Sequence, residues 1–219
     1  MESDWVFDLT LYALLGMSVL TWTIAVAKVW QLRAAMAEAQ RMTQAFDGAM
    51  DWAVFNQAIT TRVRGDAAYL VDRVTTVCRD FGGPEQRDYC FEELRAMLVA
   101  EAQRKVGTIA RHKESWLSAL ASISATAPFL GLFGTVWGII KALETIGETG
   151  AANITMVAAP IGGALVTTAV GIVTAIPAVI FHNVINRMVR QHVGRLENFS
   201  EALLRYVMHH RARWQEINR

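Results

Sequence analysis

The sequence predicts an all-α membrane protein in which three transmembrane helices are combined with a strongly charged helical portion. The prediction rests on where charge is missing, on the helical spacing of apolar residues elsewhere, and on the scarcity of helix breakers. Three runs lack Asp, Glu, Lys, Arg and His: Leu9 to Ala27 (19 residues), Ser115 to Ile140 (26) and Thr149 to Phe181 (33). Each is long enough as a helix to cross a hydrocarbon core of about 30 Å.

Composition excludes several classes of protein. The chain is 53% apolar with a mean hydropathy of +0.26 and a net charge of +1, so it has no basic domain of the kind that binds nucleic acid. Cys78 and Cys90 form no CxxC pair and accompany no histidine cluster, so we expect no metal site, no disulfide and no cofactor. No group of His, Asp, Glu or Cys lies at membrane depth, so we expect no enzyme.

Charge placement predicts the topology. Glu2, Asp4 and Asp8 precede the first run, whereas Lys28 and Arg33 follow it, so the positive-inside rule places the N-terminus outside the cytoplasm. The acidic lead-in also favours an uncleaved span over a signal peptide. By alternation the C-terminus is cytoplasmic. The tail carries more basic than acidic residues, Arg187, Arg190, Arg195, Arg205, Arg211, Arg213 and Arg219 against Glu197, Glu201 and Glu216.

The charged portion is predicted to be helical and continuous with the spans. Gly82-Gly83-Pro84 is its one strong breaker, so a helix should end near Phe81 and another begin near Pro84. That second helix is expected to run without interruption into span two, and span three to continue as an amphipathic cytoplasmic helix. The predicted segments are a periplasmic N-terminus (1–8), transmembrane helix 1 (9–30), a cytoplasmic helical region (31–114), transmembrane helix 2 (115–140), a periplasmic loop (141–155), transmembrane helix 3 (156–184) and a cytoplasmic C-terminal helix (185–219).

Spans two and three are rich in small and hydroxyl-bearing residues. Small residues let helix backbones approach closely in lipid, and proline opens or kinks a helix by removing a hydrogen bond. The residues predicted to set helix packing and kinks are Pro128, Gly131, Gly134, Gly138, Pro160, Gly163 and Pro177. Thr135, Thr167 and Thr168 are candidates to give a pore or cavity between these spans a wet hydroxyl lining. A threonine bonded to its own helix is the simpler interpretation of each.

Two sequence blocks carry a family resemblance. Residues 127–139 read APFLGLFGTVWGI, and residues 157–179 read VAAPIGGALVTTAVGIVTAIPAV. With a large loop predicted inside, they resemble the ExbB/TolQ/MotA proton-channel family, and within it the ExbB branch most closely. The resemblance covers about residues 115–190.

The resemblance implies a multi-pass protein of the bacterial inner membrane. It implies a homopentamer whose second and third spans surround an ExbD-like single-span partner that carries a membrane aspartate. Proton flow would drive this stator, and a TonB-like protein would pass the work to outer-membrane receptors for iron–siderophore complexes, haem or cobalamin. A TolQ-like subunit of the Tol-Pal envelope system and a non-conducting membrane scaffold are the alternatives.

Thr135 and Thr168 match the family's pore-lining threonines. Gly163 departs from the family, because many relatives carry glutamate there in a pattern like Pro-x-Gly-Glu-Ala-Leu. The departure leaves three explanations open: a weakened channel, a glutamate supplanted by the partner, or an engineered variant. The partner's carboxylate becomes more necessary, and pore hydroxyls are expected to reduce the desolvation penalty of its ionised form.

Overall fold

The computed structural model describes residues 5–48, 65–81, 91–149 and 154–209. Its helices are α1 (Trp5–Gly48), α2 (Asp66–Phe81), α3 (Phe91–Glu114), α4 (Leu117–Thr149) and α5 (Ile154–His209). No strand occurs in these ranges, which confirms the all-α prediction. α2 ends where the Gly-Gly-Pro breaker predicts, whereas that breaker and the expected helix start near Pro84 lie outside the described residues.

Three stretches are apolar and long enough to cross a membrane: Trp5–Arg41, Glu93–Thr149 and Ile154–Val207. They contain the first two uncharged runs and most of the third, and they confirm the predicted number of spans. α5 continues through Pro160 and Pro177 for 56 residues, far beyond the length that a bilayer requires.

The prediction of one uninterrupted helix from the charged region into span two is wrong, because the helix is broken once. α3 ends at Glu114 and α4 begins at Leu117, with a turn at Ser115 and Trp116 between them. Trp116 has φ of 73°, the left-handed region that is costly for a residue with a Cβ. No proline or glycine marks this position, so the sequence offers no breaker from which to predict it.

Residues 141–149, predicted from the sequence to lie in a loop, are helical, because α4 continues through them. Lys141 and Glu144 form an ion pair of 2.8 Å one helical turn apart, a spacing that supports a helix. Only residues 150–153 separate the described ends of α4 and α5.

The chain divides into two compact units. One, the membrane unit, comprises residues 1–29 and 116–186; the other, the charged unit, comprises residues 30–115 and 187–219. In the membrane unit, α1, α4 and α5 share a small core, made of Leu14, Ile123, Ala127, Ala175 and Ala178.

The charged unit has a larger aliphatic core. The apolar face of α2 packs with α3 and the C-terminal half of α5, and the buried members are Ala67, Leu70, Val71, Val74, Leu98, Val106, Ile109, Leu196, Phe199, Leu203 and Val207. α2 has 16 residues, and a helix in a protein gains most of its stability from the packing of its apolar face, which this core provides.

A buried polar cluster lies beside that core. Asp66, in the first turn of α2, contacts Lys113 Nζ at 2.9 Å and His192 Nε2 at 2.7 Å. Burial alone would raise the pKa of Asp66, but hydrogen bonds from His192 and Lys113, together with their charges, outweigh it and lower that pKa. The cluster therefore joins three helices through one ionised carboxylate.

Candidate functional site

Helices α4 and α5 pack so closely that backbone atoms nearly touch. A Cβ atom added to Gly131 would lie 3.0 Å from the Cα of Thr168, and one added to Gly171 would lie 2.7 Å from the carbonyl oxygen of Ala127. Such separations leave no space for a side chain. Glycine at these positions lets the two helices gain dispersion contact along their length.

Gly134 and Gly138 extend the same contact surface. A Cβ on Gly134 would lie 2.5 Å from Thr167 Cγ2, and one on Gly138 would lie 2.5 Å from Ala164 Cβ and 3.0 Å from the Pro160 carbonyl oxygen. The glycines singled out on α4 thus face α5. Their spacing along α4 keeps them on one side of the helix.

Thr168 forms a hydrogen bond between the two helices. Its hydroxyl donates to the carbonyl oxygen of Gly131 across 2.8 Å. The simpler interpretation, a bond to its own helix, does not describe this residue. Thr168 is partly exposed, so its oxygen has lone pairs that can still accept a hydrogen bond.

Thr167 and Thr135 donate within their own helices. The Thr167 hydroxyl bonds the Gly163 carbonyl at 3.1 Å, and the Thr135 hydroxyl bonds the Leu132 carbonyl at 2.7 Å. Thr167 is fully buried beneath Gly134, whereas Thr135 is partly exposed. The two threonines thus lie in different environments, and a pore-lining role for either stays a prediction.

Pro128, Pro160 and Pro177 lie inside helices that continue past them. Proline has no N–H, so each leaves the preceding turn short of one hydrogen bond. The Ala127 carbonyl near Pro128 closely approaches Gly171 of α5. Kinking by these prolines stays a prediction.

Gly163 faces an aromatic ring of the first span. A Cβ atom added to Gly163 would lie 3.3 Å from Cζ of Phe7. The side chain of a larger residue at this position would therefore point at the Phe7 ring. Both residues line a cavity of about 370 Å³ together with Trp137, Gly138, Lys141, Thr145, Met156, Ala159 and Pro160. The contact between Phe7 and residue 163 joins positions 156 residues apart and has no signal in the sequence.

No group of three or more His, Cys, Asp or Glu side chains suited to a metal ion occurs among the described residues. The side chains of Cys78 and Cys90 lie outside them. The contact surface between α4 and α5 contains backbone carbonyls, glycines and hydroxyls. Such groups hydrogen-bond a proton carrier, but they do not themselves hold charge.

Known proteins match this chain over the same region. The MotA/TolQ/ExbB proton channel family matches residues 86–198, slightly more than half of the chain. A protein named Biopolymer transport protein ExbB from Neisseria gonorrhoeae is 52% identical over 94 residues, which span 43% of each chain. The matched stretch thus covers less than half of that relative.

Longer matches reach the remaining helices. The protein of the same name from Xanthomonas campestris pv. campestris is 34% identical over 209 residues, 91% of this chain and 79% of the relative. The one from Salmonella typhimurium is 28% identical over 213 residues, 93% and 82% of the two chains. With three helices able to cross a bilayer, the chain is a multi-pass protein of the bacterial inner membrane, and it belongs to the MotA/TolQ/ExbB proton channel family.

Proposed function

We propose that this chain is the pore-forming subunit of an inner-membrane motor driven by the proton-motive force. In this proposal five copies surround an ExbD-like single-span protein that supplies a membrane aspartate. The complex acts on a TonB-like protein to energise uptake of iron–siderophore complexes, haem or cobalamin through outer-membrane receptors. The N-terminus is periplasmic and the C-terminus cytoplasmic, with the predicted segment boundaries adjusted to the helices above.

One observation carries the proposal. The α4–α5 pair presents hydroxyls at membrane depth, yet none of the three uncharged runs contains a titratable Asp, Glu, Lys, Arg or His. A proton path through a membrane ordinarily needs such a group. Because this chain belongs to a proton channel family and lacks the acid, a second polypeptide must supply it.

The hydrogen-bond pattern specifies what the threonines do in this mechanism. The hydroxyl protons of Thr135, Thr167 and Thr168 are all engaged by backbone carbonyls. In this geometry an exposed threonine oxygen can accept a hydrogen bond but cannot donate one. It therefore favours a protonated carboxyl group or a water molecule over an ionised carboxylate.

Stabilising the ionised form requires the hydroxyl to rotate. For Thr168 that rotation breaks the bond to Gly131, which links α4 to α5. Proton release by the partner's acid is thereby coupled to the contact between the two helices. The expectation that hydroxyls reduce the desolvation penalty of the carboxylate holds only after this rotation.

Proton flux in proteoliposomes tests the proposal. The chain, reconstituted with its ExbD-like partner, should dissipate an imposed proton gradient, and Thr168→Val should reduce the flux by about tenfold or more. Thr23→Val is the matched control, since Thr23 lies in span one and bonds only the Val19 carbonyl of its own helix. Absence of partner-dependent flux in the unsubstituted complex refutes the proposal.

The replacement of the family's glutamate by Gly163 favours a second candidate, a non-conducting scaffold that gathers partner proteins. The double variant Thr135→Val/Thr168→Val separates the two. Normal energisation of receptors by this variant supports the scaffold, whereas loss of energisation with intact assembly supports the motor.

A TolQ-like role in the Tol-Pal envelope system is the third candidate, and it uses the same spans. Neighbouring reading frames distinguish it: a TolA-like protein favours this role, and a TonB-like protein favours nutrient uptake.

A further inference from the structure

The charged unit contains a buried histidine that takes no part in the proposed proton path through the membrane helices. His192 lies on α5 and is fully buried, and its Nε2 atom is 2.7 Å from Oδ2 of Asp66. Lys113 Nζ lies 2.9 Å from the same oxygen. One carboxylate oxygen thus receives two nitrogen donors from two other helices.

The partners determine which nitrogen of His192 carries hydrogen. Asp66 is ionised and its oxygen only accepts, so Nε2 must be the donor. Nδ1 is also buried and has no hydrogen-bond partner within the described part of the chain. In neutral His192 this atom is an acceptor; after protonation it becomes a buried N–H that needs an acceptor.

Protonation of His192 would change the charge of the cluster. It would place a second cation beside Lys113 on the single carboxylate of Asp66. Both cations would then contact the same oxygen. On α1, the Glu38 carboxylate closely approaches Gly65, the residue before Asp66, and on α5 itself Arg195 is exposed.

α2 is the helix whose docking would change when His192 is protonated. Asp66 lies in the first turn of α2, where its negative charge interacts favourably with the positive end of the helix dipole. The polar contacts of the cluster hold that turn against α3 and α5, and the aliphatic core holds the turns that follow. Loss of the first turn would let water reach His192 Nδ1.

We propose that His192 is a proton-operated latch for α2. When neutral, it donates to Asp66 and keeps the first turn of α2 docked; when protonated, it opens the site so that water can hydrate Nδ1–H and the excess charge. The lowered pKa of Asp66 keeps that residue ionised throughout this transition.

The proposed proton motor would give this latch a physiological role, but the latch itself does not depend on the proposed function. If protons enter on the side of the charged unit, local acidification would loosen α2 as current flows. The test below uses no gradient and no partner, so its failure would leave the proton-motor proposal untouched.

Hydrogen–deuterium exchange of the purified full chain in detergent tests the latch between about pH 7.5 and about pH 5.5, where histidines ordinarily titrate. Protection factors, which correct for the pH dependence of intrinsic exchange, are compared for amides of α2. Acidification should lower them by about tenfold or more in the unsubstituted protein. His192→Gln, which keeps a neutral donor near Nε2, should show a flat profile.

Two further variants sharpen the test. His112→Gln is the matched control, since His112 is exposed on α3, and it should retain the acid response. Lys113→Met removes the competing cation, so protonated His192 pairs favourably with Asp66 and the acid response should disappear or reverse. Equal profiles for the unsubstituted protein and His192→Gln, or increased protection of unsubstituted α2 in acid, would overturn the proposal.

Discussion

The hydroxyl of Thr168 on α5 donates a hydrogen bond to the carbonyl oxygen of Gly131 on α4, at 2.8 Å. The bond forms where the missing side chain of Gly131 lets the backbones meet. One threonine thus contributes to helix packing and offers a hydroxyl oxygen within the third uncharged run. In this family member, the candidate conduction surface and the packing contact share an atom.

Removing this hydroxyl should cost modest stability. Hydrogen bonds between helices in membranes contribute about 0.6 kcal/mol on average, so Thr168→Val should lower the free energy of unfolding by about 0.5–1.5 kcal/mol. Thr168→Ser keeps the donor and should lose less. Unfolding of the detergent-solubilised protein by a denaturing detergent measures both, and equal losses would contradict a role for the hydrogen bond.

Adding a methyl group between α4 and α5 should be far more damaging than adding one elsewhere in the spans. A Cβ at Gly171 meets backbone atoms, which cannot move aside, so Gly171→Ala should lower stability by about 1–3 kcal/mol. Gly16→Ala is the control, because nothing lies within 4 Å of a Cβ there. In thermal unfolding in detergent, the melting temperature of Gly171→Ala should be well below that of Gly16→Ala. Similar melting temperatures for the two variants would argue against the tight contact.

A glutamate at position 163 should need the space that the Phe7 ring occupies. Gly163→Glu directs a side chain at the Phe7 ring, whose Cζ is 3.3 Å from the added Cβ, and should destabilise the chain. Combining it with Phe7→Ala should recover part of the loss, with a coupling energy of about 0.5–3 kcal/mol. A double-mutant cycle of unfolding free energies, which includes Phe7→Ala alone, measures the coupling. Strict additivity would show that the two positions do not interact.

Glycine at position 116, in the turn between α3 and α4, should make the protein more stable than alanine at the same position. Trp116 has φ of 73° and a side chain that is 62% exposed, so its replacement removes little packing. Trp116→Gly relieves the left-handed conformation, whereas Trp116→Ala does not. The glycine variant should be more stable than the alanine variant by about 1–2 kcal/mol in thermal or denaturant unfolding. The reverse order would mean that the left-handed turn is not maintained in solution.

Asp66 should confer a pH-dependent stability. Its folded pKa is lowered from 3.8, so its contribution is present above that value and is lost as the pH falls through the lower folded pKa. Asp66→Asn should lower the free energy of unfolding at neutral pH by about 1–3 kcal/mol. The difference should shrink as the pH falls below about 4, where the unfolded carboxyl takes up a proton, and should vanish below the lower folded pKa, where the native carboxyl is protonated as well. Denaturant unfolding at several pH values checks the trend, and a constant difference would exclude the linkage.

The helical class, the three spans and the glycine face of α4 could all be predicted from the chain alone. Hydropathy and residue spacing are local properties, and lipid imposes helices wherever charge is missing for long enough. Gly131, Gly134 and Gly138 share one side of a helix whatever lies opposite. The break at Trp116 was missed, since that residue is an ordinary helix former and only its surroundings impose the left-handed turn.

Local composition by itself determined that this protein has three long apolar runs without Asp, Glu, Lys, Arg or His, each wholly or mostly within a helix able to cross a membrane. Tertiary structure alone decided that Thr168 bonds Gly131, that Gly163 meets Phe7, and that Asp66 meets His192 from 126 positions away along the chain. The physical reason is range. Burial in lipid acts on each segment separately, whereas a hydrogen bond between helices depends on which faces the whole packed unit brings together.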